Sequence, residues 1–223
     1  YEVYDPARKI STQNWQWGEY GLTVQNPYWV NYRNLRENSK NRYMVGAQLS
    51  YKVLPCLTLS GRVRFDDSYT KATDKRYAGT LGNLSDNSER GYYGETNYKE
   101  KQIFADFLAS FNKDFSEDWN LQANFGGSIN DMRYESTDIR GGIPDGSENY
   151  PGQDALLTNF FSINNISRNA PKTWNMWREQ TQSIYASADL GYKRTYYLTL
   201  TGRNDWPSAL AGVNSKKSSF FYP

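Results

Sequence analysis

The sequence predicts an all-β fold: a segment of an antiparallel transmembrane β-barrel, about six strands in three hairpins, with short periplasmic turns and long extracellular loops, part of a larger barrel. Three observations carry this expectation. The first is alternation: from Ile184, the residues Ile184, Ala186, Ala188, Leu190 and Tyr192 interleave with Ser183, Tyr185, Ser187, Asp189 and Gly191. A period of two marks a strand with one apolar and one polar face. The second is the make-up of the apolar faces, which are small or aliphatic in mid-strand and carry rings at their ends (Tyr192, Tyr196, Trp206). A soluble core puts its bulk in the middle, whereas a strand crossing lipid places its rings at the headgroup level. The third is that short turns alternate with long connections, the habit of outer-membrane barrels.

The elements follow in order. Residues 1–40 are polar and dotted with rings (Trp15, Trp17, Tyr20, Tyr28, Trp29, Tyr32), without sustained periodicity, and read as a long extracellular loop with room for one short strand. The first hairpin spans 41–67. Tyr43, Val45, Ala47, Leu49, Tyr51 and Val53 alternate down to Leu54-Pro55-Cys56, where proline ends the ladder, and Leu57, Leu59, Gly61, Val63 and Phe65 lead back. Residues 68–100 have loop composition, rich in Gly, Asn, Ser and Tyr. The second hairpin, 101–132, runs down through Ile103, Ala105, Phe107, Ala109 and Phe111 and returns through Trp119, Leu121, Ala123, Phe125, Gly127 and Ile129. Phe104 and Leu108 break the pattern by falling on its polar side. Residues 133–181 form a second long loop, 182–208 the third hairpin, and 209–223 the start of the next loop. Each strand has about eleven residues, the length a tilted strand needs to cross a bilayer.

Composition removes several function classes. There is no His, which excludes Ser-His-Asp triads, Cys-His dyads and His-ligated zinc. The one Cys, Cys56, can form no internal disulfide or thiolate cluster and reads as a small apolar residue in a tight turn. A net charge of +2 gives no electrostatic case for nucleic acid. Mean hydropathy is −0.85 and no run of about 18 apolar residues exists, so no transmembrane helix is expected, while a barrel needs only alternate apolar residues. The chain starts at Tyr1 without an initiator Met or signal peptide, and is expected to be a piece of something longer.

Specific segments then carry a resemblance. Ser187-Ala188-Asp189-Leu190-Gly191-Tyr192-Lys193 followed by Tyr196-Tyr197-Leu198-Thr199-Leu200-Thr201-Gly202-Arg203-Asn204-Asp205-Trp206 resembles a signature of the SusC/RagA-like TonB-dependent transporters, and Ser219-Phe220-Phe221-Tyr222-Pro223 is similar to its continuation. Gln25-Asn26-Pro27-Tyr28-Trp29, Phe111-Asn112-Lys113-Asp114-Phe115 and Asn124-Phe125-Gly126-Gly127 resemble further segments of the family in the same order. The resemblance implies a barrel of twenty-two strands enclosing a plug, in the outer membrane of Bacteroidetes-type bacteria. It also implies a SusD-like surface lipoprotein as lid, TonB as energy source through a plug segment outside these residues, and import of oligosaccharides or peptides.

On that reading Arg62, Arg64, Asp66, Asp189, Arg203 and Asp205 line an aqueous lumen, where they contact substrate or, more simply, hydrate the wall and hold the plug. Tyr92, Tyr93, Tyr98, Trp174 and Trp177 are candidates for stacking on sugar rings, and equally for contact with the lid or for an upper aromatic girdle. The acidic clusters Asp66-Asp67 and Asp145-Gly146-Ser147-Glu148 match no calcium-loop spacing and read as solvated turns. No metal, cofactor or catalytic residue is expected. Two other classes stay open: a secreted glycan-binding β-sandwich, whose apolar faces would pack on each other, and a glycoside hydrolase, which needs two carboxylates about 5 to 9 Å apart in a cleft.

Overall fold

The computed structural model describes residues 1–15, 24–211 and 219–223; Trp17 and Tyr20 lie outside the described residues. The elements are β1 (Glu2–Asp5), β2 (Ile10–Gln13), α1 (Pro27–Arg33), β3 (Asn34–Leu54), β4 (Leu57–Arg76), β5 (Tyr92–Asp114), β6 (Trp119–Gly142), β7 (Lys172–Tyr192), β8 (Tyr196–Pro207) and β9 (Phe220–Tyr222). β1 and β2 pair with each other. The other seven strands form one sheet in sequence order, β3 to β9, which does not close on itself. Consecutive strands joined by two to four residues can only run antiparallel. In the β7–β8 ladder Ala188 faces Leu200, Leu190 faces Leu198 and Tyr192 faces Tyr196 on one side, while Ser187 faces Thr201 and Asp189 faces Thr199 on the other, as the alternation predicts.

The six expected strands are present; β8, with 12 residues, has the expected length, and the other five are about twice as long. β3, β5 and β6 have 21, 23 and 24 residues against the eleven or so expected. Stretches assigned to loops within 1–40, 68–100 and 133–181 therefore belong in part to strands, and only 77–91 and 143–171 connect them. The physical reason is that alternation needs two unlike faces, and where both faces are polar a strand has no hydropathic period. Residues 1–40 further contain the β1–β2 hairpin and α1, and 209–223 contain β9, which lays Phe220 to Tyr222 along Asp205 to Arg203.

The chain divides into two compact units. Unit 2 comprises Arg42–Ser68, Glu100–Tyr134 and Met176–Pro223, almost the spans of the three predicted hairpins. Its short connections are tightly made. Lys193 and Arg194 both take positive φ, 49° and 52°, as a type I′ hairpin turn requires, and the Thr195 N–H donates to the Tyr192 carbonyl at 3.0 Å. Neighbouring turns are tied by Lys193 N–H to Asp118 O (2.7 Å) and by Asn112 N–H to Cys56 O (2.8 Å). Gly126 is required by close approach, because a Cβ there would lie 2.6 Å from the Tyr185 ring and 2.7 Å from the Phe107 carbonyl oxygen. The apolar face is bare: Leu49 is 76% exposed, Leu200 61% and Phe125 55%. Among the described residues of this unit the buried side chains are polar, namely Asp66, Ser68, Asp131 and Ser183.

Unit 1 comprises Tyr1–Asn41, Tyr69–Lys99 and Glu135–Asn175, and its interior is conventional. α1 starts at Asn26, whose side chain accepts the Tyr28 N–H at 3.0 Å, with Pro27 pre-set for the first turn. It inserts Trp29, fully buried, whose Nε1 donates to Thr80 Oγ1 at 3.0 Å. Thr80 donates in turn to Asn34 Oδ1 (2.9 Å), so the indole nitrogen is not left unpaired. Gly79, at φ 96°, lets the backbone pass beside the indole. Tyr93, Ile166 and Ala170 form a second cluster with Ile139 and Phe161. Polar side chains hold the long connections in shape and tie one to the other. Asn165 Nδ2 donates to the carbonyls of Leu157 and Phe160, both at 2.8 Å, and Ser88 Oγ donates to the Ile143 carbonyl at 2.5 Å. At the amino-terminal end, Arg33 forks onto Glu2 at 2.6 and 3.1 Å and holds that carboxyl below the usual carboxylate range.

Candidate functional site

In unit 2 the polar strand face gathers the charged residues singled out in the sequence. The Arg42 guanidinium binds Asp66 through two bonds of 2.9 and 2.5 Å, and Asp66 is 7% exposed. Arg62 donates to Asp106 Oδ2 through both Nε, at 3.1 Å, and Nη2. Phe104, one of the two residues that broke the alternation, explains itself here. The guanidinium carbons of Arg62 and Arg64 lie 5.4 and 5.7 Å from its ring centre, within cation–π range. Asp189 accepts from Thr199 Oγ1 at 2.5 Å. Arg203 donates to Asp205 (2.8 Å) and to Ser183 Oγ (3.2 Å). Each of these charges thus has a polar or aromatic neighbour, a carboxylate for Arg42, Arg62 and Arg203, the Phe104 ring for Arg64 and a hydroxyl for Asp189.

Unit 1 holds a more concentrated arrangement. Arg76 forks onto Asp74 at 3.1 and 2.5 Å, with its guanidinium carbon 4.6 Å from the Tyr92 ring centre, and also donates to the Leu84 carbonyl. Arg140 forks onto Asp138 at 2.7 and 2.5 Å, and Thr96 Oγ1 donates to the same carboxylate at 2.6 Å. Arg36 approaches Asp74 at 3.9 Å. Of these groups Arg36, Asp74, Tyr92, Thr96 and Arg140 line a cleft of about 260 Å³, and Arg76 and Asp138 are bound to its lining residues. Gly94 keeps it open, since a Cβ there would crowd Arg140 at 3.1 Å.

The aromatic candidates divide. Tyr92 and Tyr93 are 7% and 6% exposed. They pack inside unit 1, with the Tyr93 hydroxyl donating to Glu95 at 3.0 Å, so neither offers an open face for a sugar. Trp174 is exposed and donates through Nε1 to Glu135 at 3.1 Å. Trp177, also exposed, stacks on Tyr134 with ring centres 5.6 Å apart. Of the acidic clusters, Asp66 and Asp67 pair with Arg42 and Lys101 respectively. Asp145 caps backbone: burial pushes its carboxyl up, but hydrogen bonds from Ser147 and the Glu89 N–H outweigh this and hold it low. Among the described residues no group of three His, Cys, Asp or Glu is placed to hold a metal ion, and no helix is long and apolar enough to cross a membrane.

Arg36, Asp74, Arg76, Asp138 and Arg140 escaped the sequence reading because they lie where alternation is absent. A signal did exist. Asp74/Arg76, Asp131/Arg133, Asp138/Arg140 and Arg203/Asp205 are opposite charges two residues apart, a spacing that puts both on one face of a strand. All four form ion pairs, at 2.5, 3.3, 2.5 and 2.8 Å.

No protein-family model and no curated protein matches the chain. Solved structures do. The RagAB peptide transporter matches with a TM-score of 0.66 at 18% identity over 89% of this chain. The RagAB peptide importer in its open-open and closed-closed states matches with the same TM-score at 16% and 17% identity. In each case the chain spans 20% of the length of the solved chain it matches. At that identity the likeness is one of fold, and it agrees with the sequence resemblance: this chain is built like one fifth of a RagAB transporter chain.

Proposed function

We propose that this chain is part of the barrel wall of a SusC/RagA-like, TonB-dependent transporter in a bacterial outer membrane, importing oligosaccharides or peptides beneath a SusD-like surface lipoprotein. The observation that carries the reading is the inversion of unit 2, with Leu49, Leu200 and Phe125 bare and Asp66, Ser68, Asp131 and Ser183 buried. A contiguous uncovered apolar face calls for lipid or another apolar partner, and rings at its ends suit the headgroup zone. The fold likeness to the RagAB peptide transporter supports a transporter with a peptide cargo, and the lipoprotein lid follows from the sequence resemblance. On this account the chain binds and passes cargo and performs no covalent chemistry, because each aspartate of the charged clusters is held by a guanidinium or hydroxyl rather than poised for proton transfer. The secreted β-sandwich is disfavoured by the same inversion, since its two apolar faces would cover each other.

Thiol labelling of the full-length protein on whole cells tests this. Cys56, in a short turn, should resist a membrane-impermeant maleimide until the cells are permeabilised, while Glu148→Cys, exposed in the 143–171 connection, should react at once. Labelling of Cys56 on intact cells would reject the proposed orientation. A product that stays soluble and monomeric without detergent would reject the membrane reading altogether.

A further inference from the structure

We propose that the cleft lined by Arg36, Arg140 and Tyr92 in unit 1, with Arg76 bound to its Asp74, binds a carboxylate carried by the cargo, an inference that rests on the transporter reading. Around it the four cations Arg36, Lys75, Arg76 and Arg140 meet three carboxylates, Glu37, Asp74 and Asp138, leaving one positive charge without its match. Both oxygens of Asp74 are occupied by Arg76, and both of Asp138 by Arg140. Glu37, which also borders the cleft, is engaged by Lys75 at 2.8 Å and Thr73 at 3.4 Å. The unmatched group is Arg36. Its Nε stands 3.9 Å from an Asp74 oxygen that Arg76 already holds at 2.5 Å, beyond hydrogen-bonding distance, and its side chain is 78% exposed.

An exposed guanidinium with unspent donors at the mouth of a cleft is suited to fork onto a carboxylate. The walls favour this further. Arg76 and Arg140 are fixed by their own aspartates, so their charge is positioned before the ligand arrives. Gly94 leaves the floor open, and Tyr92 is covered by Arg76, which removes the flat apolar face a neutral sugar would stack on. At about 260 Å³ the cleft is smaller than a pocket for a whole oligomer and takes one charged unit. That unit is a uronic-acid-type sugar or the free terminus or acidic side chain of a peptide, which present the same group.

The test is calorimetric titration of the purified full-length transporter, with two matched pairs of probes. One pair is an oligogalacturonate and its uncharged methyl ester; the other is an oligopeptide with a free carboxyl terminus and its amide. The carboxylated member of one pair should bind about tenfold tighter at low salt, and Arg36→Gln should abolish the advantage while Arg36→Lys keeps part of it. The responding pair identifies the source of the carboxylate. Equal binding within both pairs, an advantage untouched by Arg36→Gln, or no binding of either carboxylated probe would overturn the proposal. Failure of the transporter reading shows separately, as a protein that fails the thiol-labelling test whatever it binds. Retained heat-modifiable migration of each variant on gels establishes that the barrel has formed.

Discussion

Units 1 and 2 divide the same five strands, β3 to β7, between them and bury opposite chemistries. In unit 1 the buried hydrophobic residues are Trp29, Ala78, Tyr92, Tyr93, Ile143, Tyr150, Ile166 and Ala170; in unit 2 not one described hydrophobic side chain larger than hydrogen is buried. The same ladder of backbone hydrogen bonds therefore supports two different interiors. In unit 1 half of the buried apolar residues, Ile143, Tyr150, Ile166 and Ala170, come from the connecting segment 143–171. Where one face is apolar and bare, stability waits on whatever covers that face. The contrast explains why a β-rich chain can have so small a core.

Truncation should separate the units most strongly. Trp29→Ala removes the largest buried side chain of unit 1 and should cost about 3–5 kcal/mol there, read as loss of protection in amide exchange of 77–91 and 143–171, with the unit 2 strands unchanged. Equal loss in both units would mean that they do not respond separately. Charge insertion probes unit 2. Leu49→Arg should cost about 2–4 kcal/mol in refolding of the full-length protein into bilayers, whereas Gln122→Arg on the polar face should cost about 1 kcal/mol or less. Equal tolerance would remove the lipid from the account.

Smaller effects sharpen the picture. Gly126→Ala drives a methyl into the Tyr185 ring and the Phe107 carbonyl and should cost about 1–3 kcal/mol in the same refolding assay, with part of the loss restored by Tyr185→Ser. Alkaline titration bears on unit 1. Burial pushes the Tyr150 hydroxyl, which donates to the Asp86 carbonyl at 2.7 Å, up to about 12. Its folded pKa thus exceeds the unfolded value near 10, so its contribution is intact below about pH 10 and is lost as pH rises towards about 12. Amide exchange of residues 143–171 should accelerate over that window, and Tyr150→Phe should flatten the response.

Much of unit 2 was legible in the sequence, and little of unit 1 was. Residues such as Leu49, Ala123 and Ala188 announce themselves because their neighbours in sequence are polar, and the contrast between two faces is what periodicity measures. Strand residues such as Asn34–Lys40 or Ser136–Gly142 have no such contrast, so composition read them as loop. Tyr92 and Tyr93 were legible as rings but not as buried rings, because what covers them is Arg76 on the same sheet for one and Phe161, Ile166 and Ala170, distant in sequence, for the other. The charged cleft had its signal in the Asp-x-Arg spacing, which becomes informative once the residues are known to be strand.

Spin-label accessibility tests the bare face most directly. With Cys56 replaced by Ser, single nitroxides at Leu49, Phe125 and Leu200, and at Gln122 and Thr199 on the opposite face, would be compared in the full-length protein reconstituted in bilayers. The account predicts that the first three collide with oxygen and are shielded from a water-soluble nickel chelate, and that the last two show the reverse. Chelate access at Leu49, Phe125 and Leu200 equal to that at Gln122 and Thr199 would contradict it, because the apolar face would then lie in water and the inversion of unit 2 would need another cause.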